Sequence, residues 1–185
     1  MIGYAFCGSF CTFKESLAAF SGLLEKGYDL IPIMSENAYS TDTRFYKAED
    51  FRETVSRLSK REIVHTIGEA EKFGANRLES LIIAPCTGNT LAKIANGITD
   101  TSVTMAAKAH LRCDGKLLIA LASNDAMSQN LKNIASLLTR KSVYFVPMRQ
   151  DNPLGKPHSL VTDFSFIPKA FDAMESDTQL RPIFL

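Results

Sequence analysis

Residues 80–97 run Ser80-Leu81-Ile82-Ile83-Ala84, then Pro85-Cys86-Thr87-Gly88-Asn89-Thr90, then Leu91-Ala92-Lys93-Ile94-Ala95-Asn96-Gly97. The first piece is apolar after its serine, too short for a buried helix and without the polar alternation of a half-solvated strand. It predicts a strand covered on both faces. The middle piece crowds a proline, a glycine, hydroxyls and an amide into one turn. The last reads as a helix that this turn opens and Gly97 stops. A buried strand, a polar turn and a helix in succession are the repeating piece of an α/β fold with a parallel sheet.

The same pattern extends to either side. Apolar runs recur at Ile2–Cys7, Asp29–Met34, Leu117–Ala122 and Ser142–Val146. Between the first two, Leu17, Phe20 and Leu24 fall at helical spacing and Gly27 stands where a helix would end. Between the last two, Met127, Leu131, Ile134 and Leu138 predict one apolar helix face. Strands alternating with helices predict a three-layer α/β/α sandwich, doubly wound, as one domain over residues 1–185, with ligands at the carboxyl ends of the strands. Residues 35–50 read as a polar excursion, and a helix is expected from Asp50 to Arg61, continuing toward Gly74 with a break near His65. The prolines of Pro147–His158 exclude a regular helix and a central strand there.

Composition narrows the function classes. Of 185 residues, 45% are hydrophobic and 22% charged, which suits a globular core rather than a disordered or fibrous chain. Lysine plus arginine number 21 against 20 acidic residues, so a net charge of +1 offers no general attraction for nucleic acid or an anionic membrane. Leu117–Ala122, the longest strongly apolar run, is far short of a membrane span, and the N-terminus reads as a first strand rather than a signal peptide; a cytoplasmic location is expected. Four cysteines and three scattered histidines give no metal signature.

Two turns carry ligand chemistry. After the first strand, Gly8, Ser9 and Thr12 offer amides and hydroxyls before a helix, which suits either an anion or a helix cap. The turn matches neither G-x-G-x-x-G nor a G-x-x-x-x-G-K-[ST] loop. After the third strand, Thr87, Gly88, Asn89 and Thr90 offer neutral donors. Cys86, before a helix N-terminus, is a nucleophile or a packing residue. His65, beside Ile63 and Val64, is an acid–base group or a partly buried structural residue. Asn124 is a helix cap or a ligand contact. Lys14, Lys93, Arg149 and Lys156 are the cations nearest these loops, and arginine is the better carboxylate ligand.

Pro85–Thr90 and its continuation Leu91–Asp100 resemble the P-A-S-A-N-T block of the flavoprotein family, which contains homo-oligomeric cysteine decarboxylases and related prenyl-flavin-forming enzymes. The resemblance spans nearly the whole chain. It implies a Rossmann-like, flavodoxin-like sheet and FMN as cofactor. The FMN contacts it implies are Gly8, Ser9, Thr12, Ser35, Cys86, Thr87, Gly88, Asn89, Thr90, Asn124 and Met127. His65 matches the histidine that the decarboxylase branch uses near the flavin. A homo-oligomer follows from the resemblance, with Val103, Ala106 and Ala107 of a helix over Thr101–Cys113 as residues that could face another copy.

Within that family, Ile63–Glu71, Pro85–Asp100, Tyr144–Pro153 and Lys156–Leu160 are similar to the dipicolinate synthase B-subunit branch. The likeness implies an oxidoreductase subunit in the mother-cell cytoplasm of a spore-forming bacterium. It would act with an NAD(P)-binding A subunit to form a pyridine dicarboxylate from a dihydrodipicolinate-type intermediate, with Arg149 and Lys156 as substrate or partner contacts. Three departures bear on activity. Cys86-Thr87-Gly88 replaces Ala-Ser-Ala, only Asn124-x-x-Met127 survives of a longer decarboxylase pattern, and the cysteine-clamping segment has no counterpart. The rival expectations are an autonomous FMN-dependent decarboxylase and a non-catalytic assembly subunit.

Overall fold

In the computed structural model, which describes residues 1–185, the elements in chain order are β1 (Ile2–Phe6), α1 (Phe13–Glu25), β2 (Leu30–Met34), α2 (Glu36–Ser40), α3 (Ala48–Ser59), α4 (Ile67–Glu71), β3 (Ser80–Thr87), α5 (Gly88–Asn96), α6 (Ser102–Leu111), β4 (Lys116–Ser123), α7 (Leu131–Leu138), β5 (Val143–Phe145), β6 (Met148–Arg149), β7 (Leu160–Thr162) and α8 (Ile167–Glu175). The five expected strands pair in parallel in the order β2-β1-β3-β4-β5. Successive strand residues alternate between two cores. Ala5, Ile33, Ile83 and Ile119 join α5, α6 and α7, while Tyr4, Phe6, Ile82 and Leu118 join α1, α3 and α8. The two cores hold 25 and 22 buried residues, so neither sheet face is solvated and the strands need apolar side chains on both sides. No helix is long and apolar enough to cross a membrane.

The sheet departs from a purely parallel one at its far edge. β6 and β7 form an antiparallel pair, and β7 runs against Ala122 and Ser123 of β4 beyond the stretch that β5 covers. The proline-rich segment is the loop of this hairpin, with every residue from Asp151 to His158 exposed, and β6 is the two-residue edge strand that prolines on either side permit. At the opposite edge, Pro32 sits in β2, and residues 63–65 run along that edge. Val64 N–H donates to the Pro32 carbonyl at 3.0 Å and the Met34 N–H donates to the Val64 carbonyl at 2.9 Å. That pairing is why the helix expected to continue past Arg61 does not: Lys60 turns left-handed (φ 54°), the chain straightens to seal the edge, and a new helix starts only at Ile67.

Two other helical expectations change. Helix α7 begins at Leu131 with Asn130 before it, its buried face is Ile134 and Leu137, and Met127 and Leu131 are exposed. Val103, Ala106 and Ala107 of α6 are buried in the chain's own core and so are not free to meet another copy.

Phe6 belongs to a buried aromatic cluster, its ring centroid 4.9 Å from Tyr4, 5.5 Å from Phe20 and 5.3 Å from Phe51. Replacing Phe6 by alanine removes three ring contacts and leaves a cavity in this cluster, and should cost about 3–5 kcal/mol of unfolding free energy. Urea titration followed by circular dichroism measures the loss, and a change below about 1 kcal/mol would show that the cluster does not anchor this face.

Candidate functional site

The carboxyl ends of β1, β2 and β3 meet where the chain switches from one side of β1 to the other, the place at which a doubly wound sheet opens a crevice. A cavity of about 380 Å³ lies there with no hydrophobic residue in its lining. Gly8 comes from the end of β1, Ser35 from the end of β2, and Thr87, Asn89 and Thr90 from the end of β3. These five are sequence candidates that the fold brings together. The lining also includes Lys93, on α5, and four residues that no motif singles out: Glu36, Asn37, Asp100 and Thr101. They lie on helix starts and on the loop after α5, so only the tertiary arrangement turns them inward.

Each strand end is held open by specific bonds. The Cys7 N–H donates to the Pro85 carbonyl at 3.1 Å, tying the first turn to the third. Pro85 has no N–H for the ladder, and the β3–β4 register shifts between Ile83 and Cys86. Thr87 caps α5: its hydroxyl accepts the Thr90 N–H at 3.2 Å and donates to the Thr90 hydroxyl at 3.1 Å. The amides of Gly88 and Asn89, the first two of the helix, then have no intrahelical acceptor. Ser35 caps α2 by accepting the Ala38 N–H at 3.3 Å. A Cβ on Gly8 would stand 3.3 Å from the Asn37 Cβ, so the bare glycine lets the start of α2 pack close against the first turn.

The charge in the cavity is unusual for an anion site. Lys93 Nζ lies 2.8 Å from an oxygen of Asp100, and the ammonium holds that carboxyl below its ordinary range. Glu36 adds a second carboxylate. Donors for an anion are therefore amides and hydroxyls, while the carboxylates offer acceptors for hydroxyl groups.

Behind the turn, Gly88 meets a polar network. Ser123 Oγ donates to Asp125 at 2.5 Å, Asn130 Nδ2 lies 2.9 Å from each Asp125 oxygen, Asn133 donates to Asn130 at 2.8 Å, and Asn96 donates to Asn133 at 3.3 Å. The Ser123 hydroxyl, foremost, and the Asn130 amide hold the Asp125 carboxyl below its ordinary value. The network joins the end of β4 to α5 and α7.

The remaining candidates lie elsewhere. Ser9 and Thr12 close the first turn on themselves, the Thr12 hydroxyl donating to the Ser9 carbonyl at 2.8 Å. Cys86 is not the activated thiol its position suggested: it is fully buried, burial pushes its thiol well above the ordinary value, and buried Cys7 beside it is pushed up to about 11. Gly88 is buried beneath the cavity rather than on its wall. Asn124 is exposed and caps nothing, since α7 starts only at Leu131. Met127 lines a separate, mainly apolar cavity with Leu131, Met148 and Phe184, and Arg149 stands at that cavity too, 3.7 Å from Asp163. Lys156, on the exposed hairpin loop, pairs with Asp151 at 3.1 Å. His65 does not line the polar cavity but stacks on Tyr39, which shares α2 with the cavity residues Glu36 and Asn37.

The chain is similar over nearly its whole length to known proteins. The sequence model of the Flavoprotein family matches residues 1–165. The chain is 33% identical over 183 residues to the B subunit of dipicolinate synthase from Bacillus subtilis, covering 98% of this chain and 92% of that one. The crystal structure of the dipicolinate synthase B subunit from Bacillus halodurans superposes with a TM-score of 0.91 at 34% identity, covering 100% of this chain and 95% of the other. The FMN-dependent cysteine decarboxylase SpaF shares the fold, with a TM-score of 0.70 at 19% identity over 95% of each chain.

Two stability outcomes follow. A Cβ on Gly88 would collide with Ser123 Oγ and come 2.8 Å from Asp125 Oδ1, both fixed in the network, so Gly88→Ala should cost about 2 kcal/mol or more, whereas Gly68→Ala, with nothing within 4 Å, should be tolerated. Equal denaturation midpoints for the two would refute the close approach. Because the folded Asp125 carboxyl is depressed, its contribution is present above the unfolded value of about 3.9 and is lost as pH falls through the folded value. Unfolding measured from about pH 5 downward should show wild type losing stability faster than Asp125→Asn.

Proposed function

This chain belongs to the flavoprotein family, and we propose that it works as the B component of a dipicolinate-forming synthase, with FMN in the polar cavity and NAD(P) on a separate A subunit. The observation that carries the cofactor assignment is the cavity itself, which gathers donors from three strand ends. Gly8 puts bare backbone on the cavity wall, and the Asn89 amide at the start of α5 with the hydroxyls of Thr87 and Thr90 suits a phosphate. Ser35, Asn37 and the two carboxylates suit the hydroxyls of a ribityl chain. When bound, FMN supplies hydride-acceptor chemistry of the kind an aromatising oxidation needs. The extent of the match to the two dipicolinate synthase relatives supports the choice of reaction over that of the decarboxylases.

The chain's own residues divide the work. The turn residues orient a phosphate without a net positive field, and Lys93, held by Asp100, is the cation beside it. His65, which stacks on Tyr39 of the helix that also bears Glu36 and Asn37, is assigned as the proton acceptor. Arg149 and Lys156 lie away from the cavity and are assigned to contact with the A subunit or with a dicarboxylate there. The assembly is a homo-oligomer whose contacts do not use Val103, Ala106 and Ala107.

Flavin fluorescence titration should give saturable FMN binding, and Asn89→Asp should weaken it by about tenfold or more, because a carboxylate is set beside a phosphate in a partly desolvated turn. Mixed with the A subunit and a nicotinamide cofactor, wild type should support dipicolinate formation. Dipicolinate production by the A subunit alone at the rate of the mixture would overturn the assignment as a synthase component, and unchanged FMN affinity in a folded Asn89→Asp protein would overturn the pocket.

A further inference from the structure

We propose that Glu69, together with Tyr39, is a positioning residue for His65, fixing its neutral imidazole with the proton on Nδ1 and the free lone pair on Nε2. The role of that lone pair rests on the proton-acceptor reading above; the geometry that fixes it does not.

The local sequence builds the device. Thr66 and Glu69 form a capping box at the start of α4, in which the Thr66 hydroxyl accepts the Glu69 N–H at 3.3 Å and Glu69 Oε2 accepts the Thr66 N–H at 3.0 Å. The same oxygen also accepts the His65 N–H at 3.0 Å. These backbone amides hold the Glu69 carboxyl down to about 2, so it is an ionised acceptor throughout the neutral range. Its position is set by the main chain before any imidazole arrives.

The imidazole turns Nδ1 toward that carboxylate. Nδ1 lies 3.5 Å from Glu69 Oε2 and 3.3 Å from the Ile63 carbonyl oxygen. Both contacts are long, and the sign matters more than the strength: both neighbours are acceptors only, so a lone pair on Nδ1 would face two oxygens, whereas an N–H is attracted by both. A half-turn of the ring would present Cδ2–H to the same oxygens and forfeit the contacts. Tyr39 fixes the plane, stacking on His65 at 3.9 Å between centroids and 6° between planes. Arg52 holds Tyr39 in turn, its guanidinium carbon 4.7 Å from the ring centroid and an N–H donated to the Tyr39 carbonyl. The groups facing the imidazole are thus Tyr39 from α2, with Arg52 of α3 behind it, and Glu69 from α4.

His65 Nε2 has no hydrogen-bond partner in the chain, and the side chain is 34% exposed. A proton leaving a substrate carbon or hydroxyl would pass to Nε2 and give an imidazolium with both nitrogens protonated, its charge met by Glu69. Loss of that proton to water restores the starting state. The arrangement is the one by which a carboxylate orients a histidine base.

Long-range proton–nitrogen NMR on the full chain at a pH where His65 is neutral reads the tautomer directly, without FMN or the A subunit. Wild type should show the proton on Nδ1. Glu69→Ala should shift the population several-fold toward Nε2–H, with an otherwise preserved amide spectrum. Glu69→Gln keeps the cap, since glutamine serves at that position, and should lower kcat of the assembled synthase about tenfold with little change in KM. An Nε2–H tautomer in wild type, or a tautomer and kcat unmoved in both variants, overturns the proposal. If the tautomer is as expected but His65→Gln retains full activity, the proton-acceptor reading fails while Glu69 remains the residue that positions the ring.

Discussion

The sheet is buried on both faces, and that one constraint governs where polar chemistry can be placed. Most main-chain groups within β1, β3 and β4 are taken up by ladders to neighbouring strands under two layers of helix, so the backbone donors free to meet a ligand are those at strand ends and helix starts. Three strand ends converge at the switch beside β1, and the Cys7–Pro85 bond holds two of them together. Buried Ser16 shows how tightly that region is tied: its hydroxyl donates to the Ala84 carbonyl at 2.5 Å, and it is met by the Tyr4 hydroxyl at 3.1 Å. The helix α1 is thereby fixed to the strand ends that shape the cavity, and core packing and site geometry are one structure.

The same constraint explains how much could be read from the sequence. A strand covered on both faces must be apolar throughout, so β1 to β5 stand out as short hydrophobic runs, and their order with the helices gives the layers. The hairpin of β6 and β7 has no such pattern. Its strands are two and three residues long, and they are held by their place against Ala122 and Ser123 rather than by their own composition. The edge strap at Val64 was hidden for a related reason. A single residue bridging to β2 leaves no periodicity, and residues 61–66 look like a helix continued because the helical signals on both sides are real.

At the site, the residues legible in advance were those in the strand-to-helix turns, Gly8, Ser35, Thr87, Asn89 and Thr90, because amides and hydroxyls at such turns have a chemical use whatever the rest of the chain does. Glu36, Asn37, Asp100 and Thr101 carry no mark of their own, and they enter the cavity only because the α2 start and the loop after α5 fold against those turns. Cys86 misled for a physical reason. A helix N-terminus lowers a thiol's pKa when the thiol faces that dipole near solvent, but as the last buried residue of a core strand Cys86 bears the full desolvation of an anion instead.

Local donors also reconcile a nearly neutral chain with a phosphate-bearing ligand. With one excess positive charge in the whole sequence and a cavity whose single lysine is already paired, long-range attraction contributes little. Selectivity then comes from geometry: amides at a helix start accept only an acceptor-rich group, and Glu36 and Asp100 accept only donors. A ligand carrying phosphate at one end and hydroxyls along its chain satisfies both sets at once. Free phosphate satisfies only the first and meets two carboxylates as it enters, and a simple polyol satisfies only the second and leaves the helix-start amides to water. The carboxylates that weaken the cavity as a general anion site therefore narrow it toward ligands that combine the two chemistries.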